Sequence, residues 1–127
     1  GQDLFEQAEK TGGLTDPDYL KAKATADRVA RGGLDKLFKD NNVVALVGPT
    51  LGPSWMIDPI LGDRYVGGGA GNAAAVAGYP HLTVPMGLVR GMPVGLSFVG
   101  PKWSEATLLN LGYAYEQASK ARVEPKL

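Results

Sequence analysis

The sequence predicts an α/β fold, a mixed β-sheet segment flanked by helices, and three observations carry that prediction. Val43-Val44-Ala45-Leu46-Val47 is a continuous apolar run that follows helical spacing and is stopped by Gly48-Pro49, the pattern of a strand buried on both faces. Residues 81–89 and 94–99 form two strand-like stretches joined around Arg90-Gly91-Met92-Pro93, a hairpin by turn chemistry and spacing. Leu108, Leu111, Tyr115 and Ala118 then recur along one face of a helix.

Taken in order, residues 2–10 are rich in helix formers, and Thr11-Gly12-Gly13 ends that helix. Thr15-Asp16-Pro17-Asp18 is a start signal: an oxygen-bearing cap, a proline in the first turn and acidic groups at the positive end of the helix dipole. The helix it opens is expected to run from Pro17 to Arg31. Gly32-Gly33 is expected to interrupt it, with Leu34, Leu37 and Phe38 resuming at three-and-four spacing to close near Asn41-Asn42. Helices over 2–41 are thus followed by a strand over 43–47, and helix followed by buried strand argues for a mixed or parallel sheet. Residues 48–71 read as a pocket-forming loop, punctuated by Pro49, Pro53 and Pro59 yet carrying Trp55, Met56, Ile57, Ile60 and Tyr65. A short helix of small residues over 72–77, the hairpin over 81–99 and a last helix over 104–121, with Ser104 as its cap and Glu105 in its first turn, complete one segment spanning 1–127.

Composition narrows the function classes. A chain of 127 residues with 44% hydrophobic and 20% charged residues is a globular domain rather than a disordered tail. It opens on Gly1 within helix-forming sequence, which predicts a processed or partial chain. Thirteen basic and thirteen acidic residues cancel, leaving no basic footprint for nucleic acid or anionic lipid, so neither is expected as a partner. No apolar run approaches the ~18 residues of a membrane span, and a bacterial cytoplasmic location is expected. The absence of cysteine removes disulfides, thiolate metal sites and a cysteine nucleophile together.

Hydrolysis by an activated hydroxyl needs a base within reach of the hydroxyl and a group that orients the base. The one histidine, His81, stands at a strand entrance with no G-x-S-x-G elbow, and Ser54, Ser97, Ser104 and Ser119 are isolated in sequence. His81 therefore reads as an ordinary strand-entry residue. Lys21, Lys23, Lys36 and Lys39 fall on helix surfaces, and no residue of this chain is expected to be catalytic. One histidine and scattered carboxylates offer no metal-ligand spacing, and Asp58 and Asp63 read as solvated or capping loop acids. Gly69, Gly71 and Ala74 fit a loose G-x-G-x-x-A, but no strand leads into it and no acidic residue follows at the ribose-binding distance, so no nucleotide cofactor is expected. The glycines over 67–69 read as a close-packing turn or as a rim where backbone approaches a ligand. Trp55 and Tyr65 either stack on a ligand or staple the loop, and Thr50 and Asp58 are the polar groups placed to orient one.

Gly78-Tyr79-Pro80, Leu82-Thr83-Val84-Pro85 and Gly91-Met92-Pro93-Val94-Gly95-Leu96, followed by Val99-Gly100, Glu105, Leu108-Leu109 and Tyr115-Glu116, resemble the C-terminal part of amidase signature family enzymes. That family includes peptide amidases, fatty acid amide hydrolases and the A subunit of glutamyl-tRNA amidotransferases. The earlier pattern of helix, Thr15-Asp16-Pro17-Asp18-Tyr19, helix, apolar run and Gly48-Pro49-Thr50 is similar to the peptide-amidase-like branch. The resemblance implies the C-terminal portion of the amidase signature fold. It also implies an enzyme that hydrolyses a carboxamide to acid and ammonia through an acyl-serine, with a lysine acting as base through a second serine. The family's serine and glycine run and its lysine lie upstream of this region, and nothing matching G-G-S-S-G-G occurs here. The chain is then expected to be inactive alone, contributing scaffold and part of the acyl pocket to the rest of the amidase chain. Pro49, Thr50, Trp55, Asp58, Gly71 and Asn72 are the substrate-side positions implied; Pro49-Thr50 and Asn72 match the family pattern closely, the others by loop location. The glycines at 67–69 depart from the aromatic, proline and asparagine pattern of many members. Without its partner segment the chain is expected to expose a sheet edge and to self-associate. Two other functions compete: a non-catalytic binding or assembly module on the same scaffold, and the A subunit of a tRNA-dependent amidotransferase, which the 55–69 loop and the neutral charge disfavour.

Overall fold

The computed structural model describes residues 1–62 and 68–125; the expectations stated above for Asp63, Tyr65 and Gly67 fall outside them. Helix α1 (Asp3–Glu9) buries none of its residues and leads through a single 3₁₀ turn at Gly13–Thr15 to helix α2 (Pro17–Asn41). The Asp16 carboxylate caps α2, accepting from the amides of Asp18 at 2.8 Å and Tyr19 at 3.4 Å, and Pro17 supplies a preset φ where no amide hydrogen is needed. Contrary to the interruption expected at Gly32-Gly33, α2 continues through both glycines for 25 residues. Two helical glycines cost about 1 kcal/mol each. The buried side chains of Leu34 and Phe38 return about 1.5–3 kcal/mol apiece when shielded from water, so packing decides. The helix ends at Asn42 in the left-handed conformation.

Strand β1 (Leu46–Pro49), strand β2 (His81–Val89) and strand β3 (Met92–Val99) form a sheet of order β1-β3-β2. Both ladders are antiparallel among the described residues, where the helix-then-strand pattern predicts a mixed or parallel arrangement. Arg90 and Gly91 turn the hairpin with φ of 52° and 81°, the left-handed pair that matches strand twist, and a bulge between Pro85 and Gly87 shifts the register by one residue. The apolar run 43–47 also behaves differently from its prediction. Only its end joins the sheet, as the outer strand β1, and Val47 remains 64% exposed; residues 43–45 are used to leave α2, and among the described residues no further strand pairs with the outer edge.

Alternation along the strands sends side chains to two faces. One face carries Val84, Phe98 and the half-buried Leu82 and Leu96 against helix α4 (Glu105–Ser119) through Leu108, Leu111 and Tyr115. Gly112 allows this close approach: a Cβ there would lie 2.5 Å from Leu82 Cδ2. Phe98 and Tyr115 meet edge to face, 6.1 Å between centroids. Ser104 stands at the N-cap of α4, but its hydroxyl donates to the Pro101 carbonyl at 2.7 Å instead of accepting from the helix. The opposite face packs Leu46 and Val99 against Leu34 and Phe38 of α2 and Ala74 and Ala77 of helix α3 (Gly71–Ala77). Two polar contacts fasten α2 there: Arg31 Nε donates to the Ala77 carbonyl at 2.9 Å, and the Tyr79 hydroxyl donates to Asp35 Oδ1 at 2.5 Å.

Candidate functional site

The second sheet face changes chemistry along its length. Where α2 and α3 cover it, the register places Leu46 opposite Val99; two residues further on, Gly48 and Thr83 both lie opposite Ser97, and the surface becomes polar. Ser97 is the centre of this polar end. It is 0% exposed, and its Oγ lies 2.6 Å from His81 Nε2, 2.8 Å from Thr50 Oγ1 and 3.4 Å from Thr83 Oγ1. Thr50 Oγ1 is in turn 3.3 Å from Thr83 Oγ1. A buried hydroxyl is costly unless bonded, and here three neighbours satisfy it.

Backbone geometry fixes each member. The Thr50 amide donates to the Gly95 carbonyl at 2.8 Å, extending the β1 ladder by one residue. Gly95 must lack a side chain, because a Cβ there would lie 2.7 Å from both Thr50 Oγ1 and Thr83 Cγ2. The end of the long loop is laid against the same strand: the Ala70 amide donates to the Pro49 carbonyl at 3.2 Å. A Cβ on Gly69 would fall 2.0 Å from the Thr50 carbonyl. Gly71, first residue of α3, faces the His81 ring. The result is a rim of three hydroxyls and an imidazole, bordered by bare backbone. Hydroxyls donate and accept, and a neutral imidazole does one at each nitrogen, so such a rim suits an uncharged polar group.

The residues named from sequence separate into two sets. Pro49, Thr50 and Gly71 converge on this rim. Asn72 is exposed and lines a groove between α2 and α3 with Val29, Leu37, Ala73 and Val76. Asp58 closes a turn in the loop, its Oδ1 accepting from the amides of Ile60 and Leu61, both at 2.9 Å. Those two bonds hold its carboxyl below the ordinary carboxylate value. Trp55 lies partly exposed in the same loop. His81, assigned a bland strand-entry role, and Ser97 and Thr83, given no site role, are the residues that sequence reasoning missed at the rim. The turn alone would not have found them: its register pairs Val89 with Met92 and, carried on, would set Thr83 opposite Phe98, and it is the bulge between Pro85 and Gly87 that brings Thr83 opposite Ser97. Among the described residues, no group of three or more metal-ligating side chains is assembled.

No protein-family model matches the chain. The native peptide amidase of Stenotrophomonas maltophilia superposes with a TM-score of 0.88 at 46% identity, covering 99% of this chain and 25% of that one. A probable amidase of Arabidopsis thaliana is 32% identical over 127 residues, 99% of this chain and 21% of that protein. The A subunit of the glutamyl-tRNA(Gln) amidotransferase of a Clostridium botulinum strain is 33% identical over 119 residues, 87% of this chain and 23% of that protein. The chain thus spans between a fifth and a quarter of the length of the relatives it matches.

Proposed function

Because this chain belongs to the amidase signature family and corresponds to the C-terminal part of such an enzyme, we propose that it shapes the substrate pocket of a serine amidase. The parent enzyme hydrolyses a carboxamide to acid and ammonia. The observation that carries this reading is the likeness, over nearly the whole chain, to a peptide amidase. The rim of Thr50, His81, Thr83 and Ser97, which carries no carboxylate, lysine or arginine, supports it, because a carboxamide is uncharged and presents both N–H donors and a carbonyl acceptor. Pro49, Thr50 and Gly71 are the substrate-side positions nearest that rim; Trp55, Asp58 and Asn72 act further out, on the loop and on α3. The steps that break the C–N bond, attack by a lysine-activated serine and hydrolysis of the acyl-enzyme, belong to the remainder of the parent, since this chain carries no serine and glycine run. Alone it releases no ammonia.

The remainder of the parent is also the natural cover for the apolar groove lined by Val29, Leu37 and Val76 and for the outer edge of β1. Left bare, surfaces of this kind drive association. The parent acts in the bacterial cytoplasm in this reading; among the described residues no helix is long and apolar enough to cross a membrane.

A chimera tests the proposal. The segment of the Stenotrophomonas peptide amidase that aligns with this chain is replaced by residues 1–127, and ammonia release from a peptide amide is measured. Activity within about tenfold of the unmodified enzyme is expected, and a folded but inactive chimera would sink the reading. The likeness to an amidotransferase A subunit favours a second reading, in which the parent passes ammonia to charged tRNA; amidation of glutamyl-tRNA by a reconstituted complex containing this segment would establish it instead.

A further inference from the structure

We infer that a one-way hydroxyl relay locks His81 in its Nε2–H tautomer, so that the bare Nδ1 accepts an N–H from a carboxamide ligand. The choice of ligand class rests on the amidase reading above; the tautomer does not. Proton counting carries the argument. Ser97 Oγ has one proton, and it is donated to Thr50 Oγ1 at 2.8 Å. Thr50 gives its own proton to Thr83 Oγ1 at 3.3 Å. With the Ser97 proton committed, the 2.6 Å contact between Ser97 Oγ and His81 Nε2 is a hydrogen bond only if the ring nitrogen donates. A neutral imidazole has a single N–H, so Nδ1 is left as a lone pair.

His81 is exposed, and no hydrogen bond reaches Nδ1 among the described residues. Its neighbour is the bare backbone of Gly71, where a Cβ would come within 3.5 Å of Nδ1 and 3.3 Å of Cε1. An acceptor held in this way welcomes an amide nitrogen and repels a carboxylate. The residue therefore selects substrate over the acid product, which has no proton to offer, and favours its departure. Sequence alone hides this role because it depends on which partner of Ser97 takes the proton.

The single histidine makes the test direct. Long-range ¹⁵N–¹H correlation spectra of the ¹⁵N-labelled chain are recorded at about pH 8, above the usual imidazole titration range, with acetamide as the probe and methyl acetate as its donor-free control. The expected spectrum has a protonated-type Nε2, a bare-type Nδ1, and a saturable Nδ1 shift with acetamide that methyl acetate does not produce. A bare Nε2, a tautomer mixture, equal responses to the two probes, or no response to acetamide would each overturn the inference. Thr50→Val combined with Thr83→Val removes both hydroxyls that can take the Ser97 proton, so Ser97 should turn to donate to Nε2 and the ring should switch to Nδ1–H; a folded double variant that keeps Nε2–H refutes the relay. An active chimera combined with no acetamide shift would sink this inference and leave the amidase reading standing, whereas a folded, inactive chimera with an acetamide shift would do the reverse.

Discussion

The two faces of the sheet are built from the same three strands and have opposite characters. Against α4, the cluster of Val84, Phe98 and Leu108 is apolar and finished within the chain. Toward α2 and α3, only the Leu46 and Val99 end is apolar; the other end is the hydroxyl and imidazole rim. Further out, the long loop leaves Met56 at 88% and Ile60 at 90% exposed. Each face thus has a buried cluster of its own, but the one toward α2 and α3 gives way to a polar rim, and the loop leaves these apolar side chains exposed among the described residues.

Truncations should separate the two regions most sharply. Leu108 is 2% exposed at the centre of the α4 face, so Leu108→Ala should lower the unfolding free energy by about 2–5 kcal/mol, whereas Met56→Ala should change it by less than about 0.5 kcal/mol. Urea denaturation of both variants checks the pair; comparable losses would mean that the loop packs in solution and that the asymmetry is wrong. The next effect down concerns the approach of α4. Gly112→Val would drive a branched side chain into Leu82 and Val84 and should cost about 1–3 kcal/mol, read as a lower denaturation midpoint with the hairpin intact by circular dichroism. At the far end of α2, Asp16→Ala removes a cap that holds two amides and should cost about 1 kcal/mol. Asp16→Asn should recover most of that loss.

These sites also show what the sequence could tell. The Asp16 cap and the hairpin turn rest on residue types whose local chemistry leaves few alternatives, and the layering of helices on a sheet follows from periodicity. The passage of α2 through Gly32-Gly33 was hidden because the side chains that outweigh the glycines, Leu34 and Phe38, are stabilised by α3 and β3, which lie far away in sequence. The run 43–47 was misjudged for a related reason: a strand buried in a complete enzyme and a strand on the edge of a segment have the same composition. At the site, Thr50 was legible beside a proline at a strand end. Ser97 was not, since an isolated serine acquires meaning only when the register brings His81, Thr83 and Thr50 around it.

The smallest effect tests the fastening of α2 beneath the polar face. The Tyr79 hydroxyl donates to Asp35, and this bond, with a lesser contribution from burial, raises the phenol above its ordinary value of 10.0. The folded state thus holds the phenolic proton more tightly than the unfolded chain does. Its contribution is fully present below the unfolded value and is lost as pH rises through the higher folded value, so stability should fall above about pH 10 by linkage. The group is largely solvated, which keeps the effect small. Tyr79→Phe should remove the alkaline loss while leaving the neutral-pH stability within about 0.5 kcal/mol of the parent. A Tyr79→Phe chain that still lost stability over the same alkaline range would show that the loss arises elsewhere, and that α2 is held to the sheet by Leu34, Phe38 and the Arg31 contact alone.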